Sequence, residues 1–148
     1  MYKKILIATD GSDLASRAVE HGLELAKSVG ASVVILTVTQ VWSSYAMASE
    51  AERGKPDAIQ AFEDATTRAA SRIHKAALGR AASIGVRSES RHLRDQNPAE
   101  GILETAELEG CDLIVVASHG HRGLRRMMMG SQTAEVIALS RRPVLVLR

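Results

Sequence analysis

Cysteine occurs once in the 148 residues, as Cys111, so no intrachain disulfide can form and metal sites built on paired thiolates are excluded. A reducing compartment follows as the expectation, and with it a cytoplasmic protein. Aromatic residues make up only 3% of the chain. Single-stranded nucleic acid stacks its bases on aromatic side chains, so a reader of RNA or DNA is disfavoured. No polybasic block is present either: 19 basic and 17 acidic residues are interleaved, leaving a formal charge of +2 and no footprint for a phosphate backbone. The longest apolar run near the N-terminus, Ile5 to Ala8, stops at Thr9 and Asp10. That is far short of a signal-peptide core or a membrane span, so no membrane partner is expected.

What remains is an ordinary globular composition, 45% hydrophobic and 24% charged, at a length that matches one domain covering residues 1–148. With so few aromatics, the core must come from Val, Ile, Leu, Ala and Met. Ile5-Leu6-Ile7-Ala8, bounded by lysines and the Asp10-Gly11 turn, reads as a buried parallel strand within Lys3 to Thr9. From Asp13 apolar residues recur at helical spacing through Leu14, Ala18, Leu25 and Val29, with Ser12 or Asp13 as N-cap and Gly30 as the stop. Val33 to Thr39 is a second strand, and 40–56 has no clean period, so a functional loop or partly helical lid carrying Trp42 and Tyr45 is expected there.

Ile59, Phe62, Thr66, Ala69, Ile73, Ala77 and Ile84 mark a long amphipathic helix ending at Gly85. Val86 to Leu93 alternates and is more polar, as an edge strand would be. Asn97-Pro98-Ala99-Glu100 reads as a capped helix start, with the helix ending at Gly110. Leu113 to Ala117 is a fourth strand, a short helix runs from Ser131 to about Ser140, and Val144 to Leu147 closes the chain as a fifth strand. Strands alternating with helices predict an α/β fold, a doubly wound parallel sheet covered on both faces.

The stretch from Ala117 to Ser131 follows a buried strand and precedes a helix. Gly120 and Gly130 allow backbone amides to approach an anion, and Gly130-Ser131 stands at a helix N-terminus, where unpaired N–H groups and the macrodipole favour phosphate. The same residues also suit a plain strand-to-helix connection with Ser131 as N-cap.

The spacing Gly120, nine residues, Gly130-Ser131 resembles the ATP-binding signature of universal stress proteins, Gly-x2-Gly-x9-Gly-[Ser/Thr]. The likeness extends to the opening Ile-Leu-Ile-Ala-Thr-Asp-Gly-Ser, to Asp112 through Val116 leading into Ser-His-Gly, and to the closing Pro143 through Leu147. One position departs: Ala117 stands where the signature has its first glycine. If that site needs positive φ, alanine costs roughly 1–2 kcal/mol and Ala117→Gly tightens ATP.

The resemblance implies a Rossmann-like five-stranded sheet in the order 3-2-1-4-5, with Asp10 facing the glycine loop. It implies ATP, with Mg²⁺, as ligand. The nucleotide would lie against Ala8, Thr9, Asp10, Val38, Ala117, Ser118, His119, Gly120, Arg122, Gly123, Gly130, Ser131, Gln132 and Thr133, with Asp10 available to the metal. Asp10 is also a ready Asx-turn residue for the first helix, and Val38 a ready core residue. Arg122, Arg125 or Arg126 could neutralise a triphosphate. His119 and His121 lack a third ligand nearby for a metal, with His74 and His92 on other elements. Met127-Met128-Met129 suits packing, and Cys111 a buried structural thiol.

No catalytic constellation stands out. The sequence has no Walker lysine and no Gly-x-Ser-x-Gly elbow, and Thr9-Asp10-Gly11-Ser12-Asp13 does not match the Ser-Gly-Gly-x-Asp-Ser loop of adenylating ligases. An ATP-binding stress or signalling protein with slow or no hydrolysis is the leading expectation, and a nucleotide-free dimeric interaction module the alternative. The apolar outer strand Val144 to Leu147 predicts a homodimer paired through that edge.

Overall fold

The computed structural model describes residues 1–40, 52–54, 57–120 and 129–148. Within them the sheet has five parallel strands, β1 (Lys4–Ala8), β2 (Ser32–Thr39), β3 (Ser88–Arg94), β4 (Leu113–Ala117) and β5 (Val144–Leu147), in the order β3-β2-β1-β4-β5. Helices α1 (Asp13–Val29), α2 (Ala58–Ser83), α3 (Pro98–Leu108) and α4 (Ser131–Leu139) alternate with them. Trp42 and Tyr45 lie outside the described residues.

The central strands are apolar on both faces because helices cover both. Ile5, Ile7, Val33, Ile35 and Val115 pack with Ala18, Leu23 and Ala77 on the α1/α2 side. Leu6, Val34, Leu36, Ile114 and Val116 pack with Ala99, Ile102 and Val136 on the α3/α4 side. At about 25 cal/mol per Å² of apolar surface removed from water, each buried Val, Leu or Ile side chain here contributes on the order of 2 kcal/mol. Ser12 caps α1 by accepting from the Ala15 N–H at 3.3 Å, and Gly30 ends it at φ 72°. Asn97 caps α3 by accepting from the Glu100 N–H at 3.2 Å, with Pro98 at the start of the helix.

The start of β3 differs from the one expected. Val86 does not open β3, because its N–H donates to the Ala81 carbonyl at 2.9 Å as part of the turn that ends α2; the strand starts at Ser88. The last helix starts at Ser131 as expected, with Gly130 as its N-cap in place of the alternative in which Ser131 is the cap.

Cys111 is fully buried, and burial pushes its thiol up to about 11. At the opposite end of the sheet from the strand C-termini, Lys4 lies 2.8 Å from Glu109 and 3.0 Å from Glu89. Arg91 meets the same two carboxylates.

Candidate functional site

Strand order reverses direction between β1 and β4, which pair through Ile5↔Leu113, Leu6↔Ile114 and Ile7↔Val115. Doubly wound sheets hold ligands at this switch point, outside the carboxyl ends of the strands. Two chain segments meet there.

The first segment leaves β1 at Thr9, whose polar groups are all bonded. Its N–H donates to the Leu36 carbonyl at 2.8 Å, its carbonyl accepts from the Thr37 hydroxyl at 2.9 Å, and its hydroxyl accepts from the Gly11 N–H at 3.2 Å. Asp10 then accepts from the Ser12 N–H through Oδ1 at 3.0 Å, an Asx turn that leads into α1. The other carboxylate oxygen, Oδ2, lies against Gly120, so closely that a Cβ on Gly120 would collide with it. Asp10 therefore has one oxygen in the turn and the other at the loop that follows β4.

The second segment leaves β4 at Ser118 and returns at Gly130. Ser118 donates its N–H to Leu147 at 2.7 Å and accepts from the Gly130 N–H, also at 2.7 Å, so the loop is pinched at its neck. A Cβ on Gly130 would stand 3.3 Å from the Ser118 carbonyl and 3.6 Å from the His119 Cα, so this closure favours glycine. The Ser118 hydroxyl and His119 Nδ1 lie 3.2 Å apart. The N-cap of α4 is Gly130, which has no side chain to offer the first turn. The leading N–H groups of α4 have no partner within the helix and carry the positive end of its dipole.

The structure thus brings Ala8, Thr9, Asp10, Ala117, Ser118, His119, Gly120, Gly130 and Ser131 to one edge of the sheet. Two further expected contacts have other uses. Gln132 Oε1 accepts from the Ala99 N–H at 2.9 Å and so caps α3, while the Thr133 hydroxyl donates to the Ala117 carbonyl at 2.8 Å. Val38 packs in the α3/α4 core, its Cγ2 3.1 Å from where a Cβ on Gly101 would sit. Arg122, Gly123, Arg125, Arg126, His121, Met127 and Met128 lie outside the described residues.

Ala117 is a strand residue paired with Leu147, and Asp95 is the non-glycine residue with positive φ among the described ones. The left-handed backbone that would have penalised alanine at position 117 is not present. Among the described residues, no group of three or more His, Cys, Asp and Glu side chains is placed to hold a metal ion.

A polar cluster not foreseen from sequence lies beside Thr9. His74 of α2 places Nε2 2.9 Å from the Thr37 hydroxyl oxygen, and Thr39 stands 2.6 Å from His92 Nε2. The two imidazoles meet edge to face at 6.4 Å between ring centres. Burial lowers the pKa of both histidines, aided by His92 for His74 and by Arg94 for His92. The available signal was Thr37 itself, a hydroxyl where the inward alternation Val33, Ile35 calls for an apolar side chain. A cleft of about 340 Å³ opens alongside between α1 and α2, lined by Thr9, Gly11, Ser16, Arg72 and Ile73 among others.

The universal stress protein family model matches residues 1–148. Universal stress protein YxiE of Bacillus subtilis is 34% identical over 149 residues, covering all of both chains. The solved structure of MJ0577, a universal stress protein of Methanocaldococcus jannaschii, is 29% identical with a TM-score of 0.78, over 99% of this chain and 96% of that one. A universal stress protein solved in complex with cAMP is 25% identical with a TM-score of 0.73, over 99% and 97%. A family model spanning the whole chain, full-length relatives and the observed strand order agree: this protein belongs to the universal stress protein family.

Proposed function

We propose that this chain binds an adenine nucleotide, ATP, in the crevice between the β1 and β4 ends, and acts in stress response or signalling with slow or no hydrolysis. The observation that carries the reading is the contact of Asp10 with Gly120 beside the start of α4, whose N-cap is a glycine. That arrangement joins an acidic turn to an anion-favouring helix end. In this reading the Ser131 hydroxyl and the first N–H groups of α4 receive phosphate oxygens. Asp10 is the carboxylate at this crevice suited to a Mg²⁺ that arrives with the nucleotide, whose phosphates would supply other oxygen ligands. Mg²⁺ would neutralise phosphate charge when bound. The Val38 main chain would flank the adenine; Arg122 and Gly123, expected from the sequence to touch the nucleotide, lie outside the described residues.

The relative solved with cAMP supports an adenine ligand for this fold. The absence of a Walker lysine motif in the sequence supports a binder over an efficient hydrolase. A homodimer through β5 fits the same account, since β5 is an edge strand and Leu145 is 41% exposed on it. A single buried thiol suits a reducing cytoplasm. The rival reading, a nucleotide-free module, draws on one observation: the Gly130 N–H, a natural phosphate donor, is already bonded to Ser118.

Mass spectrometry of the small molecules released from protein purified out of cells separates the two. ATP or ADP near one equivalent per chain is expected; an empty pocket that also fails to take up added ATP would favour the module.

A further inference from the structure

The core face beneath α1 and α2 is apolar along most of its length and turns polar only at the carboxyl end of the strands. There Thr9, Thr37 and His74 are each less than a tenth exposed, at 6%, 6% and 8%. Buried polar groups in so apolar a setting are retained only if bonded, and these form a directed chain. Thr37 has one hydroxyl proton, and it is committed to the Thr9 carbonyl at 2.9 Å, an acceptor that can donate nothing in return. The Thr37 oxygen must therefore accept from His74 Nε2 at 2.9 Å, which fixes the imidazole as the Nε2–H tautomer.

The direction runs from α2 through β2 to the last residue before the acidic turn. A trans peptide is planar, with its C=O and N–H pointing opposite ways. Holding the Thr9 carbonyl toward Thr37 consequently sets the Asp10 N–H away from it, and sets the start of the turn whose carboxylate reaches Gly120. We propose that Thr37 and His74 are positioning residues for the nucleotide site, orienting the Thr9–Asp10 peptide through the His74, Thr37, Thr9 hydrogen-bond chain. The inference rests on the nucleotide reading above and assigns no ligand contact to either residue.

The test is calorimetric titration of ATP into four proteins: wild type, Thr37→Val, Thr37→Ser and His74→Phe, each checked for folding by circular dichroism. Valine keeps the shape of threonine and loses the hydroxyl, and phenylalanine keeps the ring and loses the donor. Losing the oriented bond should weaken ATP about fivefold to tenfold in Thr37→Val and His74→Phe. Serine, which restores the hydroxyl while leaving a small void, should bind within about twofold of wild type. A purely structural role predicts the reverse, with stability altered in all three variants and affinity in none. Equal affinity across the four proteins, or Thr37→Ser as weak as Thr37→Val, overturns the positioning role alone. A wild type that takes up no ATP overturns the nucleotide reading first.

Discussion

Gly120→Ala is the sharpest probe of the convergence at the sheet edge. Gly120 does not use a left-handed backbone, so alanine brings no conformational penalty of that kind. The new methyl would instead overlap Asp10 Oδ2 and come within 3.1 Å of Asp10 Cγ, and the three atoms nearest to it among the described residues beyond its chain neighbours all belong to Asp10. Relief must come from displacing the Asp10 side chain, which disturbs the Oδ1 bond to the Ser12 N–H at 3.0 Å. Overpacking costs typically about 1–3 kcal/mol, and weakening one bond to a charged acceptor about 1.5–3 kcal/mol. Because the Asp10 side chain can rotate toward solvent, the low end applies: about 1–2 kcal/mol, or roughly 2–6 °C in melting temperature for a domain of this size.

The assay is a double-mutant cycle by denaturant unfolding with Asp10→Ala. Removing the carboxylate removes the collision, so Gly120→Ala should be close to neutral in the Asp10→Ala background, a coupling of about 1 kcal/mol or more. Additive effects in the two backgrounds would show that Asp10 and Gly120 do not touch.

Acid should act in two stages. His74 and His92 have pKa values lowered from 6.5, so below about pH 6.5 the unfolded chain takes up protons that the folded one refuses. Stability then falls until the folded values are passed. Glu89 and Glu109 are lowered from 4.5, chiefly by hydrogen bonds from Lys4, so their contribution is complete above about pH 4.5 and lost as pH falls through the folded values. Urea midpoints at pH 7.5, 5.5 and 4 read both stages, and a midpoint unchanged from 7.5 to 5.5 would contradict the first. Ala117→Gly should leave ATP affinity within about twofold, because residue 117 is an ordinary strand position; it should cost roughly 0.5–1 kcal/mol of stability by loosening β4. Leu145→Asp should turn the expected dimer into a monomer in sedimentation at tens of micromolar, since Leu145 is 41% exposed on an edge strand. A wild type already monomeric there removes the dimer from the account.

The elements most legible in the sequence are those whose signals are local. Ile5-Leu6-Ile7 and Leu113 through Val116 are short apolar runs that only a sheet covered on both sides can bury, and both are strands at its centre. Gly30 and Asn97-Pro98 punctuate the helices where capping chemistry puts them. The start of β3 was less legible, because Val86 looks like a strand residue but gives its N–H to the end of α2.

At the site, glycine spacing and the acidic turn can be read along the chain, whereas side-chain partners at long separation cannot. Gln132 capping α3 at Ala99 and Thr133 closing on Ala117 depend on how α4 packs. His74 occupies the buried stripe Ala70, Ala77, Ala81 of α2, where periodicity alone shows an inward residue and not that a threonine of β2 awaits it.

The most direct measurement of nucleotide binding is titration of ATP into wild type and into the double variant Gly130→Val with Ser131→Ala. The valine side chain would press on the Ser118 carbonyl at the loop neck, and the alanine removes a hydroxyl beside the open end of α4. Losing a hydrogen bond to a charged group alone is worth about tenfold or more in the dissociation constant. Saturable binding near one ATP per wild-type chain, weakened at least tenfold in a folded double variant, is the predicted result. Equal affinities in the two proteins, both folded by circular dichroism, would mean that the glycine loop is only a connection between β4 and α4.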